Sequence, residues 1–411
     1  MRQRANFSRI KPRSGLWANK RGRFGVKDRQ MIHRFGHLRY IAFLFVLLLA
    51  WDFSAITVLA RTGARSSART RASSSAAARR RSARRYRYGV PTYADSTKED
   101  IAQYDDAVVR EAAVEALGRY NGSVVAIDPN SGRILSIVNQ KLAFSSGFIP
   151  CSTIKPTIAL AALEENVITR DTMVPVARRR YMNLTEAMAH SNNAFFEELG
   201  RRMGFETVSH YARLLGLGEL AGYNIAEEHP GAFPSAPPAR GGVARMSSFG
   251  EGIQITPLQL GALASAVANG GMLYYLQYPR TDEERQSFAP RIKRKLDIEP
   301  MLPELREGML AAVLYGTARS SYDPEGEQAL GKTGTCSDQG SRLGWFVSYA
   351  DQLHPRIALV VLLRGNTRRV KGPTAAEVAG RIYRGLRERN YFATNRQNLL
   401  PAPAASAGSQ P

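Results

Sequence analysis

The spacing of apolar residues predicts a mixed α/β body from about residue 98 onward. Apolar positions three or four residues apart mark amphipathic helices, whereas short β-branched runs bounded by turn residues mark strands. The helical stretches are Ile101–Tyr120, Ser152–Glu165, Leu184–Leu199, Thr207–Leu215, Leu258–Ala268 and Thr374–Arg389. The strand-like stretches are Gly122–Pro129, Arg133–Asn139, Ala329–Cys336, Leu343–Ala350 and Ile357–Arg364. Two early strands, three late strands and a helical block between them predict an α+β domain around one antiparallel five-stranded sheet with flanking helices.

A long apolar run precedes this domain. Ile41–Trp51 is unbroken and, after Asp52, apolar residues continue to Ala60. The 20 residues of 41–60 match the length of a membrane-spanning helix, although Asp52 costs roughly 2.5–3.5 kcal/mol at such a depth. The small residues before position 61 also fit the exit of a cleaved signal peptide. Because the preceding basic segment of 40 residues is long for a signal peptide, we favour an uncleaved membrane anchor.

The positive charge of the chain lies mostly outside the predicted domain. The 411 residues carry a formal net charge of +22. Residues 1–90 hold 22 basic and two acidic residues, which accounts for +20 of that total. The remaining body is close to neutral, so no basic excess is left for a folded nucleic-acid-binding face. Two cysteines exclude a disulfide scaffold and a Cys-rich zinc site.

Composition predicts five segments. A basic cytoplasmic tail covers 1–40, the anchor 41–60, an Arg/Ser/Ala-rich linker 61–97, the folded domain 98–392 and a disordered tail 393–411. The positive-inside rule places the N-terminus in the cytoplasm, although ten arginines follow the anchor in the linker. That linker is either a solvated spacer or a patch that lies on anionic lipid or cell-wall polymer.

Three short motifs in the domain carry reactive side chains. In the first, Ser152 and Lys155 stand one helical turn apart at the start of an apolar helix, and so share a face. A serine hydroxyl needs an adjacent base to act as a nucleophile, and a desolvated lysine near another cation can serve. Taken alone, the motif is weak, and an ordinary helix N-cap is the favoured interpretation of Ser152.

The other two motifs are Ser191-Asn192-Asn193 and Lys332-Thr333-Gly334-Thr335. The first lies between helical segments, where a serine can relay a proton and an asparagine can hold an amide. The second lies on a predicted strand, where Lys332 offers a positive charge and Gly334 lets a ligand approach the backbone. Each is weak evidence in isolation, since polar turns and strands of this kind are common.

The order and setting of the three motifs match S-x-x-K, S-x-N and K-T-G of the serine penicillin-recognising enzymes. The chain resembles the penicillin-binding protein transpeptidase domain, within the acyl-serine transferase and serine β-lactamase superfamily, over residues 98–392. The likeness extends to 122–165, 189–204, 249–271, 315–317 and 344–363. It implies that the helical block is a subdomain inserted into the sheet.

The resemblance implies a role for each motif residue. Ser152 attacks a D-Ala-D-Ala peptide bond and becomes acylated, with Lys155 as its base. Ser191 and Lys332 carry a proton to the leaving amine.

The remaining motif residues are implied to bind substrate. Asn193 binds the amide, and Thr333 and Thr335 with Lys332 hold the terminal carboxylate of the peptide or of a β-lactam. Gly334 lies between them on the strand. The backbone N–H groups of Ser152 and Thr335 form the oxyanion hole. The family needs no metal or cofactor, and His190 is expected to be structural.

The resemblance also bears on Cys151 and Cys336, which flank the first and third motifs. Their placement resembles the disulfide of carbapenem-hydrolysing class A β-lactamases, so a Cys151–Cys336 bond is expected, as an oxidising periplasm would allow. The alternative is a pair of buried free thiols.

The implied function is a D,D-transpeptidase that cross-links peptidoglycan. No E-x-x-L-N segment follows the second motif, and Glu164-Glu165-Asn166 ends the nucleophile helix far from its start, which argues against an efficient β-lactamase. A D,D-carboxypeptidase or weak β-lactamase remains open, as does a β-lactam sensor or scaffold without turnover. We expect neither a fused glycosyltransferase domain nor the pedestal of larger class B proteins. Expected partners are stem peptides, β-lactams, the cytoplasmic membrane and proteins of cell-wall synthesis or division, with the domain in the periplasm.

Overall fold

A five-stranded antiparallel sheet forms the centre of the domain, as the sequence predicts. The structure, a computed structural model, describes residues 89–326, 328–350 and 354–393. The strands of this part of the chain are β1 (Gly122–Ile127), β2 (Ile134–Val138), β3 (Val174–Ala177), β4 (Arg180–Met182), β5 (Met272–Tyr274), β6 (Ile292–Lys295), β7 (Ala329–Asp338), β8 (Ser341–Ala350) and β9 (Ile357–Gly365). The central sheet has the order β2-β1-β9-β8-β7, and each neighbouring pair is antiparallel.

Along the chain, helices lie before, between and after the strands of the sheet. They are α1 (Ala107–Leu117), α2 (Gln140–Ala143), α3 (Lys155–Glu164), α4 (Leu184–Ala189), α5 (Asn193–Leu214), α6 (Gly242–Phe249), α7 (Pro257–Ala268), α8 (Asp282–Gln286), α9 (Leu302–Leu314) and α10 (Gly372–Glu388). Short 3₁₀ turns lie at Cys151–Ile154, Glu299–Met301 and Arg319–Ser321.

Both faces of the sheet are covered, so its inner strands β1 and β9 are mostly apolar and buried. All six residues of β1 are buried, and β9 is buried at every position but Arg364. Helices α1 and α10 pack on one face and share a core with residues such as Val361 and Phe346. Helices α3 and α7 pack on the opposite face, around residues such as Trp345. Continuous apolar runs are what such doubly covered strands require.

The predicted helix over 184–199 is wrong in its boundaries. The chain leaves helical geometry between Ala189 and Asn193, because Asn192 accepts a hydrogen bond from the Phe195 amide at 3.0 Å and so caps a new helix. At Gly204 the backbone leaves helical geometry, with φ of 78° and ψ of 172°, so α5 consists of two helical segments separated by a break. The separate helix predicted at 207–215 corresponds to the second of these segments, which ends at Leu214.

Two small hairpins, β3–β4 and β5–β6, were not predicted, and neither were α2, α6, α8 and α9. The hairpin strands are only three or four residues long, which is too short to show an apolar alternation. The prediction misses α9 although its core-facing residues are buried, because Gly308 interrupts the pattern where the helix packs closely on Met188.

The end of the predicted linker packs on the domain. Thr92 and Ser96 are buried, and the Thr92 hydroxyl donates to Asn366 Oδ1 at 3.2 Å and to Thr367 Oγ1 at 3.0 Å. The predicted anchor at 41–60, the linker up to residue 88 and the tail from residue 394 lie outside the described residues. Within the described ranges, no helix combines the length and apolar character that a bilayer span requires.

Candidate active site

The nucleophile candidate lies at the start of a buried helix. The 3₁₀ turn Cys151–Ile154 leads directly into α3, so Ser152 stands one turn before Lys155. Cys151 has φ of 53°, a left-handed conformation that costs a non-glycine residue about 1–2 kcal/mol. Ser152 is partly exposed, whereas its neighbours from Thr153 through Ala162 are buried. Ser152 is therefore the residue of this segment that is accessible to solvent.

The backbone before the nucleophile is fixed by the sheet. The Ile149 amide donates to Asp338 Oδ2 at 3.2 Å, and the Ile149 carbonyl accepts from Trp345 Nε1 at 3.1 Å. Asp338 ends β7 and Trp345 lies in β8, so both backbone polar groups of Ile149 are bound to the β7–β8 hairpin. Neither contact was predicted from sequence.

The Lys155 ammonium is completely buried and fully hydrogen-bonded. Its Nζ donates to the Ser191 carbonyl at 2.6 Å, to Ser191 Oγ at 3.0 Å and to Asn193 Oδ1 at 2.8 Å. Because an ammonium has three N–H donors, these acceptors use all of them. The first two predicted motifs are thus joined at one nitrogen atom, 5.3 Å from the centre of the Phe196 ring.

Burial lowers the pKa of Lys155 well below its usual 10.5. The positive charge of Lys332 lowers this pKa further, whereas the carboxylate of Glu197 opposes the shift. A neutral amine keeps two N–H donors and gains a lone pair. On losing its proton, Lys155 can accept a hydrogen bond from a serine hydroxyl, which is what a general base requires.

The second motif occupies the turn between α4 and α5. Ser191 has φ of 54°, and this left-handed conformation lets its carbonyl and its hydroxyl both reach Lys155. Asn193 is the first residue of α5, where its side chain meets the same ammonium. The break between α4 and α5 therefore brings both side chains of the motif to Lys155.

The third motif lies on β7, the outermost strand of the central sheet. Lys332 is fully buried, and burial lowers its pKa to about 7. Its Nζ donates to the Thr333 carbonyl at 3.0 Å. Thr335, three residues after Lys332 on the same strand, is exposed. An edge strand of this kind leaves backbone groups free to pair with an extended peptide.

Gly334 lets this strand pack against the nucleophile segment. A Cβ atom at Gly334 would lie 3.0 Å from the Pro150 carbonyl oxygen and 3.3 Å from the Cys151 Cβ. The predicted disulfide between Cys151 and Cys336 is present, with a Cα–Cα distance of 5.7 Å. Both half-cystines are buried, at 0% and 8% exposure. The strand and the nucleophile turn are therefore joined by close packing and by a covalent bond.

Two further residues bind the hydroxyls of the third motif and were not assigned from sequence. Thr333 Oγ1 donates to Thr317 Oγ1 at 2.7 Å, and the Gly372 amide donates to Thr335 Oγ1 at 2.7 Å. The Thr317 amide also donates to the Ala189 carbonyl, at the end of α4, at 3.0 Å. Thr317 thus connects the second motif to the third. The only sequence signal for it was its place in the stretch 315–317 that resembles the family.

His190 lies beside the second motif but faces outward. Its Nε2 is 3.4 Å from Glu186 Oε2, and its ring lies 6.0 Å from that of Tyr315. Tyr315 in turn donates to Glu186 Oε1 at 2.7 Å. Across the described ranges, no group of three or more His, Cys, Asp or Glu side chains is placed to hold a metal ion.

Comparison with known proteins agrees with this geometry. Residues 122–384 match the family model of the penicillin binding protein transpeptidase domain. Stage V sporulation protein D of Bacillus subtilis is 28% identical over 312 residues, which cover 63% of this chain and 48% of that protein. Peptidoglycan D,D-transpeptidase FtsI of Escherichia coli is 24% identical over 306 residues, which cover 65% of this chain and 51% of that protein.

A solved structure shows the same fold. The D,D-transpeptidase domain of a peptidoglycan glycosyltransferase from Eggerthella lenta superposes with a TM-score of 0.55 at 20% identity, covering 74% of this chain and 86% of that one. The probable peptidoglycan D,D-transpeptidase PbpC of Pseudomonas aeruginosa is 25% identical over 344 residues, 72% of this chain and 58% of that protein. The chain spans about half the length of the curated relatives it matches.

Proposed function

Because the chain belongs to the penicillin-binding protein transpeptidase domain family, we propose that it is a serine D,D-transpeptidase that cross-links peptidoglycan. Its substrates are stem peptides that end in D-Ala-D-Ala, and β-lactams acylate the same serine. The relatives named as D,D-transpeptidases support this assignment.

One observation carries the proposal, namely the contacts of the buried Lys155 ammonium. Three acceptors from the second motif surround it, and its pKa is lowered well below the usual range by burial and by Lys332. A structural lysine gains nothing from full desolvation, whereas a general base needs the neutral form near neutral pH. Ser152 lies one turn away and is the group that such a base activates.

The acylation step follows from these positions. Ser152 Oγ attacks the carbonyl carbon of the D-Ala-D-Ala bond, and its proton passes to Lys155. The carbonyl oxygen takes up the charge in front of the Ser152 and Thr335 amides. The C–N bond then breaks, and the proton returns through Ser191 to the departing D-alanine amine. The product is an ester on Ser152, with the terminal carboxylate held by Lys332 and Thr333 until it leaves.

The fate of this ester distinguishes the alternative functions. In a transpeptidase, the amine of a second peptide attacks the ester carbon, gives a new amide and returns the proton to Ser152. Attack by water instead gives a D,D-carboxypeptidase or a weak β-lactamase. An ester that nothing attacks would make the protein a sensor or scaffold.

We further propose that residues 41–60 anchor the protein in the cytoplasmic membrane, with the catalytic domain outside it. The apolar run at 41–60 supports the anchor, and the Cys151–Cys336 bond supports an oxidising compartment. The domain would begin near residue 98 and end near residue 392, after the basic tail and the Arg-rich linker. Proteins of cell-wall synthesis or division are its proposed partners.

A fluorescent penicillin tests the proposal on the full-length protein. We expect one stable label on Ser152, and none in Ser152→Ala. Absence of labelling in the wild type would refute the transpeptidase, the hydrolase and the sensor alike. The rate at which the label is released then separates a β-lactamase from the rest. Incubation with a D-Ala-D-Ala pentapeptide, with and without an amine acceptor, distinguishes cross-linking from hydrolysis and from no turnover.

A further inference from the structure

The β3–β4 hairpin presents apolar side chains to solvent. Its inner side chains, Val174 and Met182, are buried in the core. The opposite side, which we call the outer face, consists of four exposed residues: Met173, Pro175, Ala177 and Tyr181. Pro175 and Tyr181 are cross-strand partners, so they lie on the same side of the hairpin. Met173 and Tyr181 are each 56% exposed, which is unusual for large apolar side chains.

Three consecutive arginines form the tip of this hairpin. Arg178 and Arg179 connect the two strands, and Arg180 is the first residue of β4. All three are exposed, and in the described part of the chain no carboxylate forms an ion pair with any of them. Arg170, just before the hairpin, is by contrast paired with Glu307 at 2.7 Å. The tip therefore carries three positive charges that the folded domain does not neutralise.

An apolar face beside unneutralised cations is typical of an element that lies on a membrane surface. Apolar side chains enter the boundary between headgroups and acyl chains, tyrosine favours that depth, and arginines meet anionic lipid headgroups. A soluble anionic polymer would attract the arginines but would gain nothing from Met173 and Tyr181. Pro175 removes a backbone donor from β3, which disfavours the addition of a strand from a partner protein.

The proposed anchor would keep the hairpin within reach of a bilayer. Residues 61–88 alone separate the apolar run at 41–60 from the described domain. Even fully extended, these 28 residues span at most about 100 Å. A tether of this length makes a second contact with the same bilayer effectively intramolecular, so a weak docking surface suffices.

We propose that the β3–β4 hairpin docks the domain on the membrane, with its outer face and arginine tip in contact with anionic lipid headgroups. The bilayer is the one that holds the anchor. This inference goes beyond the proposed function and uses only its anchoring part. Docking restricts how the catalytic domain is oriented above the membrane.

Hydrogen–deuterium exchange tests the inference on the full-length protein in lipid nanodiscs. The nanodiscs contain either phosphatidylcholine alone or phosphatidylcholine with phosphatidylglycerol, and the measured quantity is deuterium uptake by the peptide that covers 173–182. We expect uptake to be about tenfold slower in the anionic nanodiscs, because three arginines face the charged surface. Arg178→Gln/Arg179→Gln/Arg180→Gln should abolish this difference.

Two further variants separate the bilayer from other causes of protection. Met173→Ser/Tyr181→Ser keeps the arginines and should also lose most of the difference; full protection in this variant would indicate a purely electrostatic contact, as with an anionic polymer, and overturn bilayer docking. Arg368→Gln/Arg369→Gln/Lys371→Gln is the matched control, because it removes three exposed charges from the segment between β9 and α10. It should keep the wild-type difference, and an equal loss there would assign the effect to net charge.

The outcomes separate this inference from the proposed function. Equal uptake by the wild type in both kinds of nanodisc refutes docking, whether or not penicillin acylates Ser152. If penicillin does not label the wild type, the proposed activity fails and the exchange result still decides the docking. If the protein is not retained in nanodiscs, the anchor is wrong, and the same uptake measured with free vesicles of the two compositions decides the hairpin by itself. Wild-type rates of labelling in both hairpin variants would show that they are folded.

Discussion

Lys332→Met should make the protein more stable and inactive at the same time. Lys332 is completely buried, and burial lowers its pKa from 10.5 to about 7. A shift of this size corresponds to a cost of about 5 kcal/mol for holding the ammonium in the folded protein at low pH. Methionine has a similar length and no charge, so the substitution removes this cost together with one hydrogen bond to the Thr333 carbonyl.

The pH dependence of the stability difference tests this prediction most directly. The folded pKa of Lys332 lies below its unfolded value, so between pH 7 and 10.5 unfolding takes up a proton and the wild type gains stability as the pH rises. The charge cost is about 4 kcal/mol at pH 7 and about 2 kcal/mol at pH 9. After about 1 kcal/mol is subtracted for the lost hydrogen bond, the variant should be more stable by about 3 kcal/mol at pH 7 and about 1 kcal/mol at pH 9.

Denaturant unfolding of both proteins at the two pH values measures these differences. Lys141→Met is the control, because its side chain is 83% exposed and its removal should change stability by less than about 0.5 kcal/mol. Labelling by fluorescent penicillin should be lost in Lys332→Met alone. A variant that is less stable than the wild type at pH 7, or an advantage that grows with pH, would refute the reasoning.

Four further outcomes follow from the site. The wild-type acylation rate, measured by stopped flow, should fall above about pH 7 because Lys332 loses its charge there. Lys332→Arg should show no such fall, provided that penicillin still acylates the variant. Asn193→Ala removes one acceptor of the buried Lys155 ammonium and should slow acylation about 10- to 100-fold; an unchanged rate would contradict the role assigned to it. Gly334→Ala should cost about 1–3 kcal/mol by denaturant unfolding, because its Cβ meets a backbone oxygen at 3.0 Å that cannot move aside, and a neutral result would argue against the close packing. Replacing Cys151 and Cys336 together by alanine should cost about 2–5 kcal/mol in the same assay, and a loss below about 1 kcal/mol would count against a structural disulfide.

Several features of the active site lower the stability of the folded domain, and interactions elsewhere in the domain offset their cost. Two lysines are buried without a carboxylate partner in the described ranges, and Cys151 and Ser191 adopt left-handed backbone conformations. Such strain and desolvation persist only where the surroundings hold the groups in place. Here three features supply that constraint. They are the disulfide, the hydrogen bonds of Ile149 and the hydrogen bonds by which Thr317 connects the second motif to the third.

Much of the fold can be predicted from local pattern. The five central strands are located to within a few residues, because their apolar runs reflect burial on both faces. The boundary between α4 and α5 is not, because Asn192 caps a helix only when the tertiary structure bends the chain there. The strands of the two small hairpins are too short to show an alternating pattern.

The chemical groups of the site can be identified from the amino-acid sequence, because three motifs occur in a recognisable order along the chain. These motifs contain Ser152, Lys155, Ser191, Asn193 and Lys332. How those groups act on one another depends on the folded arrangement. The lowered pKa of each lysine depends on burial, and the contacts of Thr317 and Gly372 join residues far apart in the chain. The physical reason is that periodicity along a chain records which face of an element is covered, whereas desolvation and hydrogen bonding depend on what covers it.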